Sequence, residues 1–181
     1  MDREEALFRT LERHAIRARL AEGFRDDVDG FIRYSLSVQN RRKARAGFAL
    51  ENHVQAALEA AQLRFEYCAK TENRSRPDFL FPGSAEYRDP RFPFESLLML
   101  GVKSSCKDRW RQVLTEADRI PRKHLFTLET GISGSQMSEM HSRALQLVVP
   151  LGLHAAFAPE RRASLMSLRA FIDLVRQSQR L

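Results

Sequence analysis

The chain is poor in the residues that would tie a small protein together covalently or through metal: 181 residues contain only two cysteines, Cys68 and Cys106. They form no CxxC pair and join no Cys/His ligand cluster, which excludes a disulfide scaffold and a structural zinc site. The five histidines (His14, His53, His124, His141, His154) show no HxxH, HExxH or HNH-like grouping, so a histidine-metal hydrolase is excluded too. Long apolar runs are missing as well. The longest, around Leu97 to Val102 and Leu147 to Leu153, fall far short of the roughly 18 residues of a membrane span. Nothing before Asp26 reads as a signal peptide, and with so few cysteines the expected compartment is the reducing cytoplasm. No glycine-rich phosphate loop is present, because GISGS lacks a following Lys, and Ser104 and Ser105 lack the flanking glycines of a nucleophile elbow.

Lysine is scarce where arginine is abundant. Of 30 cations 25 are Arg and five Lys, against 23 Asp plus Glu, giving a net charge of +7. Arg offers a planar, bidentate fork that fits phosphates and guanine edges, so this bias points toward nucleic acid, although an Arg-rich solvated surface has the same composition. At 43% hydrophobic residues and this length, one domain can bury about 70% of its unfolded surface and support its own core.

Periodicity divides the chain in two. The first forty residues carry helical spacing (Leu7, Leu11, Ala15, Ala18, then Val28, Phe31, Ile32) broken at Gly23, which predicts two helices serving for dimerisation or as a cover over a sheet. A basic run, QNRRKARAG, separates them from a third predicted helix marked by Phe48, Val54, Leu58 and Ala61, with Glu51 and His53 on it. Five short runs then read as strands: RFEYC, DFLF, SLLMLGVK, HLFTL and LQLVVP. A helix is predicted from Asp108 to about Asp118, a weaker one from Met137 to Leu145, and an amphipathic one from Ala163 to Gln177. The expected architecture is α/β, a central mixed five-stranded sheet with helices on both faces. Residues 1–40 form an N-terminal helical segment and 41–181 the main body of a single compact domain.

Three residues carry the chemistry. Pro77 precedes Asp78 at the start of a strand, so the carboxylate is presented at a strand end. Lys103 closes an apolar strand 25 positions on, and Glu116 follows 13 positions later. Adjacent strands lie about 4.8 Å apart, so Asp78 and Lys103 converge if their strand ends are level. Phosphodiester hydrolysis needs a divalent cation, hard-oxygen ligands to hold it and a cation near the nucleophile, and these three supply those types. A lysine merely leaving a sheet for water has the same sequence signature. In the next segment Ser105 and Asp108 resemble a helix cap, while Arg109 can fork onto guanine and Asp108 accept from cytosine N4, a pairing suited to G·C base pairs. A cap plus a solvated ion pair is the plainer alternative. Tyr34, Tyr67 and Tyr87 are candidates for stacking on a displaced base, or for packing.

The stretch SRPDFLFP, then LGVKSSCKDRWRQVLTEADRIPRKHLFTLE, with RRKARAGFALENH upstream, resembles the catalytic domain of EcoRII-type restriction endonucleases, a branch of the PD-(D/E)XK nucleases. The likeness runs from about Arg41 to about Leu128. It implies a restriction-endonuclease-like core and a Mg²⁺-dependent homodimer that cuts both strands of a short, near-palindromic, C·G-flanked site of the CCWGG or CCNGG type. Carried over, Asp78 resembles the metal-binding aspartate, Lys103 the catalytic lysine, Glu116 the acid supplied by the following helix, and Glu51 a further acid on the helix before the sheet. Lys107, Asp108 and Arg109 match the segment that contacts the C·G pairs, with Arg41 and Arg42 in the basic run as further DNA contacts.

The chain departs from the wider PD-(D/E)XK pattern at Gly101, two residues before Lys103, where Asp or Glu is usual. Glu116 then has to replace the missing acid, as in the branch it resembles. An effector-binding domain has no room in 181 residues, so a stand-alone cleaving domain is expected, although an excised fragment would read the same. A cleaving enzyme implies a cognate DNA methyltransferase in the host. Two rivals remain: a repair or nicking nuclease with the same core, and a DNA-binding module that does not cleave.

Overall fold

The computed structural model describes residues 2–106 and 109–179, with side chains from residue 5 onward. These fall into two compact units, Met1–Arg45 and Ala46–Leu181.

The first unit holds α1 (Asp2–Glu22) and the start of α2 (Val28–Ala60). Gly23 sits between them at φ 76°, a left-handed value that glycine adopts without a Cβ clash. Asp27 opens α2 by accepting from the Gly30 amide at 2.8 Å. Within this unit Arg42 grips Glu12 through two guanidinium nitrogens at 2.7 Å, and Arg45 pairs with Glu5 at 2.6 Å. The sequence predicted a break at QNRRKARAG and a new helix after it. The structure instead runs α2 unbroken through that segment, because Arg, Lys and Ala are strong helix formers and a lone Gly47 costs only about 1 kcal/mol.

The second unit is built on a five-stranded sheet in the order β1 (Glu66–Tyr67), β2 (Phe79–Phe81), β3 (Leu98–Val102), β4 (Lys123–Phe126), β5 (Leu145–Val148). The first two pairings are antiparallel and the last two parallel. Between β2 and β3 lies α3 (Ser84–Arg88), between β3 and β4 α4 (Trp110–Val113), and between β4 and β5 α5 (Gly134–Ser142). After β5 come α6 (Pro159–Arg162) and α7 (Leu168–Ser178).

Strands β2 and β3 are buried at every position, as their continuous apolar runs require, and strand pleating deals their side chains alternately to two cores. Leu80, Met99, Leu125 and Leu147 face one core with Trp110 and Val113 of α4 and Met137 and Met140 of α5. Phe79, Phe81, Leu100 and Phe126 face the other, with Leu50, Val54 and Leu58 of α2 and Phe171 and Val175 of α7. The mixed sheet with helices on both faces is therefore present. Ser133 and Gln136 form a reciprocal capping box on α5, and Ser167 caps α7 through the Ala170 amide.

The predicted helix over 108–118 is much shorter. Regular α-helix ends at Val113, and after the turn that follows Ala117 takes φ 50°, which a right-handed helix cannot accommodate. Glu116 consequently stands in the turn beyond α4 and not on a helix.

Candidate active site

Antiparallel pairing of Phe79 with Leu100 sets Asp78, the residue before β2, beside the end of β3. Its carboxylate, 9% exposed, accepts through Oδ2 from the Val102 amide at 2.6 Å and from Lys103 Nζ at 2.8 Å. The Lys103 amide meanwhile donates to the Phe126 carbonyl at 3.0 Å. Its backbone thus stays tied to the sheet while its side chain meets Asp78. Both oxygens of Asp78 can bind, and these bonds occupy Oδ2, leaving the lone pairs of Oδ1 to other partners.

Glu116 completes the group. Burial is the main influence on its carboxyl and pushes it up to about 7, with Lys103 pulling it down and Asp78 pushing it further up. Its Oε2 is buried without a hydrogen-bond partner. A buried, unpartnered carboxylate oxygen is costly and calls for a cation. Asp78 and Glu116 are hard-oxygen donors of the kind Mg²⁺ takes, usually one or two carboxylates with the remaining positions filled by water and phosphate. Among the described residues no three His, Cys, Asp or Glu side chains converge tightly enough to enclose an ion.

A β-carbon on Gly101 would lie 2.9 Å from Val113 Cγ2 and 3.2 Å from Cγ1, so α4 packs directly against the strand backbone there. The turn that continues from the same helix carries Glu116.

Glu51, on α2, accepts from the Tyr67 hydroxyl at 2.6 Å. That bond, with some burial, raises the Tyr67 phenol above its usual range. Lys107 and Asp108 lie outside the described residues. Arg109 is exposed, its amide donating to the Cys106 carbonyl at 2.7 Å. Ahead of it, Glu129 holds the backbone at Cys106, its carboxylate accepting from the Cys106 amide. Burial pushes the Cys106 thiol up to about 11, which makes it an inert buried group. In the first unit Arg41 reaches Ser37 Oγ at 3.5 Å, and Arg42 is committed to Glu12.

Sequence reading overlooked Lys123 and Arg119 and took Tyr67 and Tyr87 for stacking or packing groups, whereas all four bond to the site residues or to the turn carrying Glu116. The only available signal was a lysine opening an otherwise apolar strand in KHLF.

The mixed sheet, with Asp78 and Lys103 paired across β2 and β3, defines a restriction-endonuclease fold. Solved structures agree. The restriction endonuclease PspGI in its substrate DNA complex superposes with a TM-score of 0.76 at 17% identity, over 97% of this chain and 75% of that one. Metal-depleted Ecl18kI in complex with uncleaved DNA gives 0.72 at 16% identity, over 89% and 55%. The family described as EcoRII C terminal matches residues 8–172, and the chain belongs to that family. The type II restriction enzyme EcoRII of Escherichia coli is 49% identical over 154 residues, 84% of this chain and 38% of EcoRII, so the chain spans well under half that relative's length.

Proposed function

We propose that the chain is a type II restriction endonuclease: a Mg²⁺-dependent phosphodiester hydrolase that cuts both strands of DNA at a short, near-palindromic, C·G-flanked site of the CCWGG or CCNGG type. The observation that carries this reading is the meeting of Lys103 Nζ with Asp78 Oδ2 at 2.8 Å beside the unpartnered Oε2 of Glu116, in a chain of the EcoRII C-terminal family.

Asp78 and Glu116 would hold the ion. When bound, Mg²⁺ supplies charge neutralisation at the phosphate and a water of lowered pKa. The protein's own contribution is placement and charge. Asp78 orients the Lys103 ammonium, which faces the scissile phosphate, positions the attacking water and offsets negative charge on the pentavalent phosphorus. Glu51, steadied by Tyr67, is a further acid for the same reaction or a second ion. Arg109, with Lys107 and Asp108, reads the C·G pairs, and Arg41 and Arg42 contribute to the backbone contacts.

A twofold site cut on both strands calls for a homodimer. The first unit supports this, because it exposes Leu7, Leu11, Leu20, Val28, Phe31 and Leu36 to about half or more of their surface, apolar side chains that a partner subunit would cover. A cleaving enzyme also calls for a cognate methyltransferase in the same host that protects the host's own sites, and both would act on DNA in the cytoplasm. Among the described residues no helix is long and apolar enough to cross a membrane.

Plasmid cleavage with and without Mg²⁺, followed by end-sequencing, tests the proposal, with Asp78→Ala alongside. Mg²⁺-dependent fragments ending at one C·G-flanked sequence, lost in the variant, are expected. A protein that shifts DNA rich in CCNGG sites in a gel yet leaves it intact would be a binding module instead. Nicked circles from a monomer would point to a repair or nicking nuclease.

A further inference from the structure

The turn carrying Glu116 is clamped on both sides of that residue. Ahead of it, Ser75 Oγ donates to the Thr115 carbonyl at 3.2 Å. Behind it, Ala117 is held at φ 50° with 1% exposure, a left-handed conformation that a non-glycine residue adopts only when its surroundings enforce it. Lys123 does much of that enforcing. Its side chain is 6% exposed and folds back from the start of β4 to donate to the Ala117 carbonyl at 3.1 Å and the Ile120 carbonyl at 2.9 Å.

A second anchor lies further along the turn. The Arg119 guanidinium donates to the carbonyls of Tyr87 at 2.6 Å and Asp89 at 2.7 Å, and also to that of Phe92. The Arg119 amide donates to Tyr87 Oη at 3.1 Å, and that hydroxyl in turn donates to Glu72 at 2.6 Å. The backbone is thus pinned by a buried cation one residue from Glu116, while the Glu116 carboxylate has a buried oxygen bound to nothing. Closing a surface turn needs no buried ammonium, since water or a C-cap amide satisfies such carbonyls elsewhere.

We propose that Lys123 is a positioning residue for the reaction: by holding the Ala117 and Ile120 carbonyls from beneath the turn, its ammonium aims the Glu116 carboxylate at the space shared with Asp78 and Lys103. This rests on the reading of Glu116 as a metal-holding acid. Lys123 touches neither substrate nor ion and acts only through the turn.

The test is a Mn²⁺ titration followed by electron paramagnetic resonance on the full chain bound to a CCWGG duplex, alongside metal-free duplex binding and thermal melts. Lys123→Met keeps the apolar stem and removes the donors. It is expected to weaken Mn²⁺ binding about tenfold or more, as loss of partners behind metal ligands commonly does, with metal-free duplex affinity within about twofold of wild type. Lys123→Arg, which restores donors, is expected to recover most of the loss. Wild-type Mn²⁺ affinity in a folded Lys123→Met overturns the proposal.

Should Lys123→Met show no cooperative melt, Lys123→Gln, whose amide still reaches one carbonyl, is judged by the same criterion. If neither variant folds, Lys123 is a folding residue and the proposal falls. Glu116→Gln separates this from the underlying reading. Retained Mn²⁺ affinity there means Glu116 is not a ligand, whereas loss there with none in Lys123→Met defeats the positioning role alone.

Discussion

Val113 occupies the space that a side chain on Gly101 would need, with Cγ2 2.9 Å from the position of its β-carbon. This contact ties two features that look independent in the sequence. A side chain two residues before Lys103 would meet α4, and the turn that continues from α4 carries Glu116.

Gly101→Ala should therefore destabilise the fold by about 1–3 kcal/mol, the usual cost of forcing an extra methyl into a packed core. Truncating the clashing side chain, Val113→Ala, in the Gly101→Ala background should recover part of that cost. Denaturant melts of the two single variants and the double give the coupling. Strictly additive losses would show that the two positions do not compete for the same space.

Glu116→Gln should trade activity for stability. The carboxyl titrates near 7 in the folded chain against an ordinary value of 4.5, so the folded state binds the proton more tightly across that window. Stability then falls as pH rises from about 4.5 to 7, and the ionised group costs on the order of 3 kcal/mol above it. The amide has no proton to lose, so the variant should melt higher than wild type at pH 8 and equal it near pH 4.5. Cleavage should drop at least about a hundredfold. A variant less stable than wild type at pH 8 would show that the carboxylate is satisfied in the folded protein.

His124 should set the acid limit of the fold. Its side chain is fully buried in β4, its ring centroid 5.0 Å from that of Phe171. Burial, helped by Arg122, pushes its pKa down to about 4. A depressed histidine favours the folded state above its ordinary value of 6.5, and that advantage is lost as pH falls toward 4, by on the order of 3 kcal/mol. His124→Leu should flatten the decline in melting temperature between pH 6.5 and 4. An unchanged acid slope would assign the decline to other groups.

Tyr67→Phe and Glu51→Gln distinguish two uses of Glu51. The first removes the 2.6 Å hydrogen bond and leaves the charge; the second keeps an acceptor for Tyr67 and removes the charge. If the acid acts in catalysis, Glu51→Gln should cost cleavage about tenfold or more, while Tyr67→Phe costs less and leaves stability within about 1.5 kcal/mol. Equal, small effects on rate would leave Glu51 a structural partner of Tyr67.

Much of the architecture was legible because strands and amphipathic helices announce themselves locally. The five apolar runs became the five strands, Gly23 ended the first helix, and the amphipathic stretch predicted from Ala163 to Gln177 contains most of α7. Two boundaries failed for identifiable reasons. The basic run after residue 38 looked like a linker by charge, but intrinsic helix propensity carried α2 through it. The helix after Lys103 looked long by periodicity, but a left-handed Ala117 held by distant groups cut it short.

The sequence alone determined which residue types were available: a Pro-Asp at a strand start, a lysine at a strand end and a third acid downstream, since these are properties of local pattern and spacing. Tertiary structure decided the rest. Only the antiparallel register could bring Asp78 and Lys103 to 2.8 Å, only the packing of Val113 on Gly101 leaves no room for a side chain there, and only contacts from Ser75, Lys123 and Arg119 hold the turn that carries Glu116, with partners up to 40 residues apart in sequence. Contacts of that kind depend on which backbone carbonyls the fold leaves unpaired, a quantity no window of sequence contains.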